Sequence, residues 1–114
     1  MTFDDVQQIA SAFPGVEEQL VFGRPTLKVS KRFLACVAKI DPDTLCIKVP
    51  SQLEREYFLS TNPDVYYLTP HYENFECLLV RMPLADPAEV RGLFEQAWRE
   101  YAPKKLVKSY QESQ

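Results

Sequence analysis

The stretch DPAEVRGLFEQAWREY, residues 86–101, decides how the rest of the chain is read. Asp86 has the short acceptor side chain of an N-cap, and Pro87 suits the first helical position, where its missing N–H would be unpaired in any case. Glu89 completes a capping box. Val90, Leu93, Phe94, Ala97, Trp98 and Tyr101 then recur at helical spacing and give the helix one apolar stripe, which needs a sheet to cover. Pro103 breaks the helix. The segment KKLVKSY beyond it is expected to add one basic turn before a polar tail, flexible from about residue 109.

The sheet is found upstream. From about Glu17 to Val49 the apolar period becomes two, with Gly23-Arg24-Pro25, Ser30-Lys31-Arg32 and Asp41-Pro42-Asp43 as turns, so four short antiparallel strands are expected. Leu45, Ile47 and Val49 point one way while Cys46 and Lys48 point the other, the alternation of a sheet with one covered face. Before the strands, Thr2 and Asp5 open a helix along Val6, Ile9, Ala10 and Phe13 that Pro14-Gly15 stops. After them, Ser51 and Glu54 form a second box, and the helix that follows takes Leu53, Tyr57 and Phe58 as its apolar side until Asn62-Pro63. Val65–Leu68 and Glu76–Met82 read as the arms of a hairpin. The expected fold is α+β: one two-layer domain over residues 1–114, an antiparallel sheet covered by helices, with no repeat and no linker.

Composition narrows the function classes. A chain of 114 residues, 46% hydrophobic and 25% charged, has the balance of a soluble globular domain. No apolar run approaches a membrane span, and MTFDDVQQ is acidic where a secretory signal is basic and then apolar, so a cytoplasmic protein without a membrane partner is expected. Cys36, Cys46 and Cys77 have no C-x-x-C spacing and read as buried small hydrophobes rather than a disulfide framework or zinc ligands. Three glycines cannot assemble a phosphate-binding loop. No cofactor and no metal is expected.

One histidine stands out, in YLTPHYENF, residues 67–75. Imidazole titrates near neutral pH, which invites a catalytic reading, but only Glu73, Glu76 and Cys77 lie nearby, and no protease-like signature or metal-ligand spacing surrounds it. A structural role is favoured. Thr69-Pro70 restricts the backbone, and His71 with the hydroxyls of Tyr67 and Tyr72 is placed to bond loop carbonyls that a sheet leaves unsatisfied.

Charge is unevenly spread although the net value is only −3. Residues 1–23 hold four acids and no Lys or Arg, whereas residues 24–48 hold Arg24, Lys28, Lys31, Arg32, Lys39 and Lys48 against two acids. Residues 49–102 hold nine acids against four bases, and the remainder holds Lys104, Lys105 and Lys108 against Glu112. Basic charge therefore concentrates in the hairpins and the C-terminal segment, a pattern that suits phosphates even in an acidic protein. Solvated turn lysines explain the same pattern without a partner.

FPGVEE (13–18), FGRPTLKVSKRFLA (22–35), LCIKVP (45–50), YYLTPHY (66–72) and AWREYAPKKL (97–106) together resemble, in order and spacing, the bacterial MmcQ/YjbR family. TPHY and APKKL are the most specific pieces. The resemblance implies a two-layer α+β fold similar to frataxin and secretion-chaperone-like folds, and a DNA-binding protein with a double wing of β-hairpins. Carried over by position, its basic hairpin is Lys28, Lys31 and Arg32 and its C-terminal lysines are Lys104 and Lys105, flanked here by Arg24 and Lys108. Position 22 is Phe where many relatives have Trp, a change expected to matter for packing. The resemblance carries no catalytic role to His71. The leading reading is a non-enzymatic DNA-binding domain. A protein- or peptide-binding adaptor is the alternative, and a small-molecule binder or enzyme at the Tyr67, Thr69, Pro70, His71, Tyr72 loop is the third.

Overall fold

A computed structural model describes residues 1–113. In chain order the elements are α1 (Phe3–Ala10), β1 (Val16–Val21), β2 (Arg24–Val29), β3 (Arg32–Val37), β4 (Thr44–Lys48), α2 (Gln52–Thr61), β5 (Tyr66–Tyr67), β6 (Cys77–Arg81), α3 (Pro87–Tyr101) and α4 (Lys104–Glu112). The strands form one antiparallel sheet in the order β1-β2-β3-β4-β6-β5. This is the α+β architecture expected from the alternation and the caps.

Local chemistry sets the register. Val21 pairs with Arg24 and Val29 with Arg32, so two-residue turns, Phe22-Gly23 and Ser30-Lys31, join β1 to β2 and β2 to β3. All four turn residues have positive φ, between 48° and 77°, as the mirror-image hairpin turns require. Outside glycine that conformation costs about 1–2 kcal/mol per residue. At Leu27/Lys28 the partner in β3 moves from Ala35 to Phe33, a bulge that turns both Leu34 and Ala35 into the core. Before β4, Asp41 Oδ1 accepts from the Asp43 N–H (2.9 Å) and the Thr44 hydroxyl (2.8 Å), closing the expected turn.

The helices cover one face. Leu45, Ile47 and Val49 meet the α3 residues Val90, Leu93, Phe94, Ala97 and Trp98 in the main core, while Cys46 lies on the opposite face. Asp86 caps α3 by accepting from Ala88 N–H (2.9 Å). Glu89 accepts from the buried Tyr66 phenol (3.0 Å), tying α3 to β5. Burial first, and Glu89 second, push the Tyr66 pKa well above its ordinary range.

Three expectations change. Helix α2 starts on Ser51, which accepts from Glu54 N–H (3.2 Å), but its supposed apolar side is in solvent: Leu53 is 81% and Tyr57 60% exposed. The helix lies at the sheet edge and packs against β5, so only residues near its end, Phe58 and Leu59, reach the core. The C-terminal segment is a nine-residue helix rather than one turn, and the expected tail from about 109 is helical through Glu112. Tyr110 causes this: it is buried, with its ring 5.2 Å from Phe13 and 5.1 Å from Trp98. Phe22 has no packing role to change, since it is 93% exposed at a hairpin tip.

Candidate functional site

The face of the sheet opposite the helices carries the side chains that sequence reasoning kept apart. Across it, Thr26 of β2, Cys36 of β3, Cys46 of β4, Leu79 of β6 and Tyr67 of β5 are successive register partners and form one row. Cys77, paired with Lys48, stands diagonally beside Cys46. The loop between β5 and β6 folds back over this row, so Phe33, Tyr67 and Tyr72 pack on Ala38, Cys46, Cys77 and Leu79 in a second small core. This face is therefore partly covered, by its own loop.

Within that loop Pro70–Tyr72 forms a 3₁₀ turn, with Thr69 C=O accepting from Tyr72 N–H (2.9 Å). His71 is exposed and edge-on to Tyr72 at 5.0 Å, with Phe75 5.7 Å away. Its imidazole bonds no carboxylate and no thiol among the described residues. Nor do His71, Tyr67 and Tyr72 satisfy the loop carbonyls. Arg55 of α2 does so, donating to Glu73 C=O (2.8 Å) and to Phe75 C=O. The Tyr67 ring instead lies 3.9 Å from the Arg81 guanidinium, a cation–π contact.

Between loop and sheet is a pocket of about 380 Å³, with Cys36, Cys46 and Cys77 along the sheet, Phe33, Tyr72 and Phe75 as apolar walls, and Arg24, Lys48, His71 and Glu76 around it. Lys48 Nζ is 3.7 Å from Glu76, which also accepts from the Tyr101 hydroxyl (3.3 Å). Arg24 has no acidic partner among the described residues. A larger hollow of about 540 Å³ between α2 and α3 offers less, because its only cation, Arg99, is already paired to Glu95 at 2.8 Å.

The three thiols act as a unit. Hydrogen bonding to Cys36 and Cys77, and then burial, drive the Cys46 pKa far up. Cys36 moves down, chiefly because Cys46 donates to it, with burial opposing and Arg24 assisting. Cys77 moves down for the same first reason, with Arg55 and Lys48 assisting. One S–H serves one acceptor at a time. Cys36 is the half-exposed thiol and lies beside Arg24, whereas Cys46 and Cys77 are buried. No group of three or more His, Cys, Asp or Glu side chains among the described residues is arranged to hold a metal.

The candidate basic residues divide. Lys31 sits in the β2–β3 turn and Arg32 follows it, with its guanidinium 5.3 Å from the Tyr101 ring. Helix α4 starts three residues after Tyr101 and packs Leu106 beside Gly15 and Val29, where a glycine Cβ would lie 2.6 Å from Leu106 Cδ1. Lys31, Arg32, Lys104 and Lys105 are thus exposed at one end of the molecule. Lys28 is half-buried on the open face opposite Glu17, Arg24 belongs to the pocket, and Lys108 lies 4.0 Å from Glu112. Because the first two hairpins share β2, their tips lie at opposite ends of that strand, about 20 Å apart.

A family model described as YjbR matches residues 11–100, which include the whole sheet, the looped-back segment and nearly all of α3. The chain belongs to the YjbR family. Relatives outside this chain carry no activity in their names: the uncharacterized proteins Mb2600 of Mycobacterium bovis and Rv2570 of Mycobacterium tuberculosis are each 27% identical to it, over 96% of this chain and 95% of their own length. The YjbR match stops before α4, so the C-terminal lysines lie beyond the matched residues. No helix among the described residues is long and apolar enough to cross a membrane.

Proposed function

We propose that this YjbR protein is a non-enzymatic DNA-binding domain that grips phosphates with the β2–β3 turn and the first turn of α4. One observation carries the reading. Lys104 and Lys105 occupy the first turn of a helix whose N-cap, Pro103, supplies no side-chain acceptor, and no acid lies in that turn. Cations there oppose the helix dipole at a cost of about 0.3–1 kcal/mol, and the leading amides are left without a cap. An anion reverses both penalties. Lys31 and Arg32 stand at the same end, and none of the four pairs with a carboxylate among the described residues. The alternative of a protein or peptide adaptor draws on Leu20 and Phe22, exposed apolar residues at the other hairpin tip.

Salt dependence tests the proposal. Four phosphate contacts correspond to a log-log slope near about −3.6, from about −0.9 per contact, so raising salt from about 50 to 200 mM weakens binding on the order of a hundredfold. By fluorescence anisotropy on labelled duplex and single-stranded DNA, changing Lys31 and Arg32 together to Ala should flatten the slope by roughly 1.8. Failure of both DNA forms to bind at about 50 mM salt and high micromolar protein, a range that reaches ordinary non-specific affinity, replaces the DNA reading with the adaptor.

A further inference from the structure

We infer that the pocket under the β5–β6 loop is a binding site for a small aromatic carboxylate, its ring against Phe33, Tyr72 and Phe75 and its carboxylate on Arg24. Tyr101, 5.6 Å from Lys48 and 5.3 Å from Arg32, borders both this pocket and the basic end proposed to meet DNA, but the ligand site uses Arg24 and does not depend on that reading.

Shape and charge select the ligand class. The volume of about 380 Å³ falls in the range of ordinary small-molecule sites, which run from about 300 to 1,000 Å³ and combine apolar walls with a few convergent polar groups. Three aromatic side chains and a floor of sulfurs on a sheet suit a flat, polarisable ring. Of the two permanent cations, Lys48 is already neutralised by Glu76, and Arg24 is left without an acid. One half-buried guanidinium offers the forked donor geometry of a carboxylate and the charge for a single anion. A phosphate dianion would leave charge uncompensated in a half-apolar site. The covering loop is held without a ligand: Arg55 fixes it through the Glu73 and Phe75 carbonyls, and Tyr72 packs on the Cys46 and Cys77 cluster. The cavity walls are therefore set before a ligand arrives, which lowers the ordering cost of binding.

Cys36 supplies a reporter, since it lines the pocket and is the half-exposed thiol. The experiment measures alkylation of Cys36 by iodoacetamide, a neutral reagent, using peptide mass spectrometry on the full chain. Saturating 2-naphthoate should slow alkylation at least fivefold, and the neutral 2-naphthamide should protect much less. Arg24→Gln should weaken naphthoate protection roughly tenfold or more, as loss of a charge-assisted hydrogen bond does. Arg24→Lys, which keeps the charge, covers the case in which Arg24→Gln fails to fold and should weaken it less. Lys31→Ala, in the β2–β3 turn and outside the pocket lining, should leave protection unchanged. Equal protection by the amide, undiminished protection in Arg24→Gln, or no protection at about 10 mM naphthoate overturns the inference. So does protection by a short single-stranded oligonucleotide in place of naphthoate, which would make the pocket a nucleotide site.

Discussion

Replacing Trp98 tests how the C-terminal helices are held. The residue is 0% exposed, its ring centroid lies 5.3 Å from Phe13 and 5.1 Å from Tyr110, and its indole N–H donates to Pro14 C=O at 2.9 Å. Trp98→Ala removes the largest fully buried side chain and should cost about 3–5 kcal/mol, as large aromatic truncations do. In a domain of this size each kcal/mol is worth about 4 °C, so Tm should fall by roughly 12–20 °C. Trp98→Phe keeps a ring but leaves the Pro14 carbonyl without its donor, a loss of about 1–3 kcal/mol. Urea and thermal unfolding by far-UV circular dichroism separate the two variants without relying on tryptophan fluorescence. Amides of α4 should lose exchange protection before those of β3 and β4, because Tyr110 anchors α4 on the Trp98 ring. A Trp98→Ala loss under about 1 kcal/mol at unchanged m-value would refute the packing argument.

Arg55→Ala should free the 73–76 segment, at a global cost near 1–2 kcal/mol, with protection lost first at the amides of that loop; uniform protection would show that the loop holds itself. His71→Asn should change stability by no more than about 0.5 kcal/mol and leave DNA binding intact, because the imidazole is exposed and bonds no charged partner; a larger shift in the urea midpoint points to a contact of imidazole beyond the edge-on Tyr72. Phe22→Asn should stabilise the protein by about 1 kcal/mol, since Asn tolerates the φ of 51° that Phe adopts in solvent; a lower Tm would mean that Phe22 is packed in solution.

What was legible in the sequence was whatever depends on near neighbours. The caps at Thr2, Ser51 and Asp86, the alternation in β4 and the stripe of α3 each involve residues within one element, and each appears where its spacing put it. Misreadings arose where a local pattern needs a distant surface. Leu53 and Tyr57 have the spacing of an apolar side, yet α2 lies at the sheet edge and leaves them in water. Tyr110 has the spacing of a tail residue because its partners are distant: Phe13 lies in the turn between α1 and β1, and Trp98 in α3.

The pocket was hidden for the same reason, and its parts show why. Cys36, Cys46 and Cys77 have no motif spacing because three strands bring them together: Cys36 faces Cys46 across β3 and β4, and Cys77 arrives from β6 by way of the Lys48 pairing. A one-residue slip in any strand would send its thiol to the helix side. The bulge at Leu27/Lys28 keeps Phe33 and Cys36 on the same open face although they are three positions apart in sequence, where strict alternation would place them on opposite faces. Arg24 looked like one more cation of a basic hairpin, but β2 carries it to the end away from Lys31, beside the thiols. Register thus divides one run of basic residues into two surfaces. Lys31 and Arg32 face solvent with Lys104 and Lys105, while Arg24 turns to an apolar pocket, so mutations at the two ends should separate in their effects on any ligand.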